Sequence, residues 1–364
     1  MSELIYPHSE VPAPGAVIEV APGVHWLRMP LPMALDHINL YLLEDDDGWW
    51  IIDTGIALGD TEKLWQQIFD EVLGDKPVKA VLCTHMHPDH CGVAGWLCDT
   101  WKVPLYMTMG EYLTARSFSK MTVDDLTWTT EQYYRGAGMD ADYLDNMKKN
   151  FGGFGSVVKP LPGAYRRLED SDYLTIGGVR WRIIVGAGHS PEHACLYSAA
   201  LNLLISGDQV IPRITSNVSV SPMEPEGNPL RQWLASHQHF LEQLPSDALV
   251  LPAHNTPFYG LHDRLRYLVQ HHEDHLLALE EACQQQPSSA KELLPVLFKR
   301  ELDANTIGMA LGECVAHLNY LTRRGQLRRD TDANGCYRYV SVDETLDQRL
   351  RMSGHEPDEA PMMV

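Results

Sequence analysis

The sequence has no apolar run approaching the roughly 18 residues of a membrane-spanning helix, so the chain is expected not to cross a bilayer. It has no Cys-x-x-Cys pair. Its seven cysteines are an odd number spread from Cys83 to Cys336, which excludes a small disulfide-stapled scaffold. The opening residues, Met1 to Glu10, lack the basic-then-apolar pattern of an export signal. Reduced thiols in a cytoplasmic setting are therefore the expectation. Positive charge is also scarce, with Lys+Arg 29 against Asp+Glu 49 and a net charge of −20. A field of that sign repels phosphate backbones and anionic lipid, so no membrane partner is expected and nucleic acid would need a local basic patch. Glycine and proline, at 27 and 23 of 364 residues, are too few for a collagen-like or low-complexity chain.

What remains is an ordinary globular composition, 44% hydrophobic, with 17 histidines as its unusual feature. The first third reads as short strands over 17–20, 24–28, 38–43 and 49–52, the last running up to Asp53, Thr54 and Gly55. Residues 60–73 have apolar positions at helical spacing behind Asp60 as N-cap. A buried strand over 78–82 and a helix over 93–101 follow. Strands return at 173–176, 179–185, 195–198 and 203–206, and helices at 230–244 and 261–284. Strand pairs mixed with surface helices imply a layered α/β domain over 1–283, with sheet on sheet and helices outside. Residues 108–160 lack strand pattern and hold helical segments rich in Tyr, Met and Phe, so a helical cap inserted between strands is expected there. Residues 284–364 form the second expected domain. Helices over 291–302, 307–312 and 313–322 precede a hairpin with a turn at 332–335, a winged-helix pattern, and an acidic tail runs from Glu344.

The chemistry concentrates in one string: His85, Met86, His87, Pro88, Asp89 and His90, directly after the strand 78–83. Pro88 keeps His87 out of helical geometry, which makes this a loop at a strand's C-terminal end, where α/β proteins bind ligands. Imidazoles at i and i+2 on an extended loop point to the same side. Three further ligand-type residues each end an expected strand beside small residues: His189 after Gly188, Asp208 after Gly207, and His254 after Ala253. Small neighbours let a metal and a substrate approach the backbone closely.

An HxHxDH string, then a His, a Gly-Asp and a Pro-Ala-His in this order, preceded by Asp-Thr-Gly, resembles the metallo-β-lactamase fold superfamily over about residues 20 to 275. The resemblance implies a four-layer αβ/βα sandwich. It implies that His85, His87 and His189 hold one metal, that Asp89, His90 and His254 hold a second, and that Asp208 bridges the two. Asp53 is similar to the family aspartate that steadies a ligand rather than binding metal. A bridging Asp208 resembles the glyoxalase II, lactonase and ribonuclease Z branches. The diiron oxygen-reducing branch usually has Glu where His87 stands. The helix with His262, Arg264 and His271, together with the winged-helix tail, resembles the lactamase-like group with an associated winged-helix domain. By this resemblance a metal-bridging hydroxide attacks a carbonyl or phosphoryl centre, with Asp89 and Asp208 as the catalytic carboxylates and no serine or cysteine nucleophile. All-N/O ligation suits two zinc ions per chain and admits iron or manganese.

Blander readings apply elsewhere. His271, His272 and His275 crowd one helix and are read as a solvated face rather than a metal site. His37 and Asn39 read as sheet packing, and Cys83 and Cys91 as small buried hydrophobes. Residues 291–340 hold eight basic residues against six acidic ones. The cluster of Arg323, Arg324, Arg328 and Arg329 would suit phosphate contacts, but packing or a homodimer contact is preferred. The expected activity is hydrolysis of a small-molecule thioester of the acyl-glutathione or acyl-CoA type, or of an ester or lactone. The alternatives are an endoribonuclease or phosphodiesterase, and a non-catalytic metal-containing regulator. Substrate-contacting residues are not legible in the sequence.

Overall fold

The computed structural model describes residues 4–32, 35–303, 306–346 and 349–350. Of the acidic tail expected from Glu344, residues 347–348 and 351–364 lie outside the described residues. Four strands come first: β1 (Val17–Ala21), β2 (Val24–Pro30), β3 (His37–Asp45) and β4 (Gly48–Ile52), followed by helix α1 (Thr61–Glu71). β5 (Val78–Leu82) leads into the one-turn helix α2 (Pro88–Cys91), then α3 (Ala94–Trp101), β6 (Leu105–Thr108) and α4 (Met109–Phe118). Helices α5 (Trp128–Gly136) and α6 (Ala141–Lys149) precede β7 (Arg166–Leu168), β8 (Tyr173–Ile176), β9 (Val179–Gly186), β10 (His193–Ser198) and β11 (Leu203–Gly207). Next come α7 (Pro229–Gln243), β12 (Leu249–Pro252) and α8 (Leu261–Gln285), and then α9 (Ala290–Leu297), α10 (Ile307–Arg323), β13 (Leu327–Thr331) and β14 (Tyr337–Ser341). No helix among the described residues is long and apolar enough to cross a membrane.

The chain divides into two compact units and passes between them five times. The first contains the described residues up to Met121, then Gly152–Ser216 and His239–Leu265; the second contains Thr122–Phe151, Asn217–Gln238 and the described residues from Arg266 onward.

The first unit is a layered α/β sandwich. Its seven-stranded sheet runs β1 to β7 in chain order, antiparallel from β1 to β4 and parallel from β4 to β7. Its five-stranded sheet has the order β12-β11-β10-β9-β8, antiparallel except for the β11–β12 pair. Alternation along the strands builds two cores. Val24, Trp26, Tyr41, Leu43, Trp50 and Ile52 face Trp181, Ile183, Leu196 and Ile205 of the other sheet. The intervening Leu27, Met29, Leu40, Leu42, Trp49 and Ile51 meet Trp65, Ile68, Phe69, Leu97 and Ala115 from α1, α3 and α4. With both faces buried, the run from Trp49 to Ile52 is apolar throughout instead of alternating with polar residues. The sheets are stitched together by main-chain hydrogen bonds at one end: Ala194 N–H donates to Thr84 O at 2.8 Å, and Asn39 N–H to Ala253 O at 2.6 Å.

In the second unit, α9 and α10 pack with the β13–β14 hairpin, which pairs Leu327 with Ser341 and Thr331 with Tyr337. Asp332 closes the hairpin loop by accepting the N–H groups of Asn334 and Cys336 at 2.9 and 3.1 Å. Four local expectations need correction. Asp60 precedes α1 but makes no side-chain capping bond, because its carboxylate pairs with Lys63 at 2.6 Å. The helices expected over 307–312 and 313–322 are one helix. Gly312 marks a close approach instead of a break, since a Cβ there would lie 2.9 Å from Val220 O. α9 ends at Leu297 and not at residue 302: Phe298 turns extended, and the charged residues 299–301 offer no apolar face to prolong it. Finally, His271, His272 and His275 are not a solvated face. They are 2%, 0% and 4% exposed, with the His272 ring 4.6 Å from Trp233 and 5.1 Å from His317.

Candidate metal centre

The HxHxDH string leaves the end of β5 at Cys83, and Asp53, just past β4, fixes its start. The Asp53 carboxylate accepts the Thr84 N–H at 2.7 Å and the Thr84 hydroxyl at 2.8 Å. It also takes the Nδ1 proton of His90 at 2.8 Å, which leaves the His90 Nε2 atom facing the centre. His87 is extended (φ −61°, ψ 151°) because Pro88 follows it, and Pro88 then opens α2, which carries Asp89 and His90 to a second position.

The structure brings all seven ligand-type residues together in two adjoining groups: His85, His87, His189 and Asp208, and Asp89, His90 and His254. In the first, His85 Nε2 lies 2.8 Å from His87 Nδ1, His87 Nδ1 lies 3.0 Å from His189 Nε2, and His189 Nε2 lies 3.2 Å from His85 Nε2. In the second, Asp89 Oδ2 is 3.4 Å from His254 Nε2 and 3.6 Å from His90 Nε2. Asp208 stands between them, with Oδ2 3.3 Å from His189 Nε2 and 3.4 Å from His90 Nε2, and Oδ1 3.3 Å from His254 Nε2.

This donor set fits metal. Burial and the neighbouring imidazoles push His85 well below the ordinary histidine range, and burial pushes His87 down to about 3, so both present neutral lone pairs. Burial opposes charge on Asp208, yet His254 and His90 hold its carboxyl well below the usual carboxylate range. Three ring nitrogens cannot satisfy three mutual contacts by sharing protons, since each is either a donor or an acceptor and two of the three must be alike. Ligands around a tetrahedral zinc with Zn–N of about 2.0–2.1 Å stand about 3.3 Å apart, close to these spacings. Both oxygens of Asp208 and the Nε2 atoms of His90 and His254 are buried without a hydrogen-bond partner, a costly arrangement unless a cation meets them.

The loops holding these ligands are tied to one another by residues that sequence reasoning missed. Glu111, buried on α4, accepts the Met86 N–H at 2.9 Å and the Glu192 N–H at 2.7 Å, joining the His85–His87 loop to the loop after His189. Burial pushes its carboxyl up to about 7. No local pattern marks Glu111, because its partners are distant in sequence. His193 opens β10, and its Nε2 accepts the Asp208 N–H at 3.0 Å while its ring stacks on that of His85 at 4.7 Å. Its only signal is an imidazole at a strand position where neighbours are apolar. His37 and Asn39 do more than sheet packing. His254 Nδ1 donates to His37 O at 2.9 Å, Asn255 N–H donates to His37 Nε2 at 3.0 Å, and Asn39 Nδ2 donates to Pro252 O at 2.9 Å. The seven cysteines are free thiols and all buried, and burial pushes Cys83 and Cys91 well up.

Comparison with known proteins gives a consistent picture. The metallo-beta-lactamase superfamily model matches residues 34–254, and a metallo-beta-lactamase-like C-terminal domain model matches residues 276–342. A beta-lactamase domain protein from Burkholderia ambifaria is 43% identical, with a TM-score of 0.86 over 93% of this chain and 98% of that one. A metallo-beta-lactamase family protein from Thermus thermophilus is 25% identical, with a TM-score of 0.73 over 89% of this chain and all of that one (100%). A probable metallo-hydrolase of Bacillus subtilis is 27% identical over 63% of this chain and 89% of its own length.

Proposed function

The chain belongs to the metallo-beta-lactamase superfamily, and we propose that it is a two-metal hydrolase of a carbonyl substrate, a thioester of the acyl-glutathione or acyl-CoA type or else an ester or lactone. The observation that carries this reading is Asp208, whose Oδ2 lies near His189 and His90 and whose Oδ1 lies near His254, so that one carboxylate reaches imidazoles of both groups. His85, His87 and His189 would hold one cation with Asp208, and Asp89, His90 and His254 the other. Divalent cations of the zinc class supply Lewis acidity toward a carbonyl oxygen and lower the pKa of water.

The rest is the work of the chain's own residues. Asp53 and the His37 carbonyl keep the Nδ1 protons of His90 and His254 in place, so both Nε2 atoms stay directed inward. The Asp89 side chain is 17% exposed and that of Asp208 is 1%. Asp89 is thus the carboxylate that solvent reaches, placed to take a proton during attack and return it to the leaving group. Cys83 and Cys91, beside the motif, are protonated and buried and do not serve as nucleophiles.

A nuclease gripping RNA or DNA through the C-terminal arginines is less well supported, because those guanidiniums are engaged. Arg323 bonds the Glu226 carbonyl, Arg328 pairs with Asp330 at 2.9 Å, Arg329 with Glu226 at 2.9 Å, and Arg324 approaches Glu273 at 3.5 Å. The deciding experiment measures metal content and turnover on one sample, against an acyl-glutathione, an acyl-CoA, a lactone, a β-lactam and single-stranded RNA. At least two metals per chain, with thioester, ester or lactone turnover that Asp208→Ala abolishes without unfolding the protein, is the expected result. RNA cleavage alone, or no carbonyl hydrolysis by metal-loaded protein, would overturn the proposal.

A further inference from the structure

A second group of buried ligand-type side chains lies wholly within the second compact unit. His272 on α8, and Glu313 and His317 on α10, each offer a ligand atom within 4.8 Å of the others. The i, i+4 spacing puts Glu313 and His317 on one face of α10. All three residues are fully buried. His317 Nδ1 donates to the Glu313 carbonyl at 2.8 Å, so the His317 Nε2 lone pair is free to point at His272 Nδ1, 3.0 Å away. That separation falls within the range found between ring nitrogens at the first centre, 2.8–3.2 Å. Glu313 Oε2 accepts a hydrogen bond from Asn217 Nδ2 at 3.0 Å, while Oε1 is buried with no hydrogen-bond partner.

We infer that His272, Glu313 and His317 bind a divalent cation of the zinc class that clamps α8 to α10. Two imidazole nitrogens and a carboxylate oxygen form a ligand set suited to zinc, whereas magnesium and calcium favour oxygen throughout. A network of neutral hydrogen bonds leaves Glu313 Oε1 unmet in the interior; a cation takes that oxygen and both facing lone pairs at once. Full burial makes this a closed structural site and not a catalytic one.

The test is zinc content of the full-length protein after dialysis, compared between wild type and Glu313→Gln, which keeps the side chain's size and its acceptor for Asn217. Glu313→Gln is expected to carry one zinc fewer, to keep the wild-type rate of hydrolysis, and to lose part of the rise in unfolding temperature that zinc gives the metal-free wild type. Equal zinc content and an equal rise in both proteins would overturn the inference. His272→Gln gives the same reading from the other helix. If neither variant folds, cobalt(II) titration of the combined variant His87→Ala, Asp208→Asn and His254→Ala, in which each half of the first centre has lost a ligand besides the shared carboxylate, still reports on this site. A saturable visible band at one equivalent is expected, and no band would refute the site. These differences hold whatever the first centre binds, so the two proposals fail separately.

Discussion

Asp53 carries a backbone φ of +59°, a left-handed angle that aspartate tolerates better than most residues, and turns β4 sharply toward the metal centre. Its carboxylate serves both Thr84 and His90. Asp53→Asn keeps the shape but sets an amide where the His90 Nδ1 proton must be received. Metal affinity should fall about 10–100-fold, read by competition with a chelator. Gly207 is the other constrained position, with φ +51° and a Cβ site 2.5 Å from the His193 ring that holds the Asp208 N–H. Gly207→Ala should cost on the order of 1–3 kcal/mol in urea unfolding and displace Asp208. The seven ligand-type residues and Asp53 were legible because they sit just beyond the ends of β4, β5, β9, β11 and β12, with Asp89 and His90 on the short α2 that follows β5. Glu111 and His193 were not, because they act on backbone groups that meet only in the folded chain.

Among the elements, α9 has the most explicit local signal, a capping box in which the Ser289 side chain and Glu292 satisfy each other's backbone N–H groups. The bonds from Ser289, together with Arg338, hold the Glu292 carboxyl below its ordinary value. A depressed carboxyl stabilises the fold above its unfolded pKa, and that contribution fades as the pH falls through the folded value. Glu292→Gln should therefore lower stability at pH 7 by roughly 0.5–1 kcal/mol, a modest figure because the side chain is half exposed and screened. The gap between variant and wild type should close as the pH is lowered below the ordinary carboxylate range, followed by thermal unfolding at each pH. The strands were legible because burial on one face or two leaves a direct imprint on sequence. The α8 histidines were not, because an imidazole counts as polar in any periodicity, and only Trp233 and His317 across the helix turn that face inward.

At the scale of the molecule, seven side chains from four separate chain segments are held at one end of two sheets, so a metal bound there would be thermodynamically linked to the fold. Removing metal with a chelator should lower the unfolding temperature, and returning zinc should restore it in a concentration-dependent way. At 100 times the dissociation constant the stabilisation is about 2.7 kcal/mol per site. An unfolding temperature indifferent to chelator would contradict occupancy of the centre. The layered fold was legible at this scale, but the division into units was not, since the chain leaves and re-enters each unit through segments with no distinctive composition.

That interleaving has a consequence in time. During synthesis the first four ligands, His85 to His90, emerge together. His189 and Asp208 follow only after one excursion into the other unit, and His254 after a second. At about 5–20 residues per second, His254 trails His85 by on the order of 10–30 s. For that interval the nascent chain presents only part of the candidate ligand set. On the two-metal reading, the second cation's ligand set is complete only once β12 delivers His254.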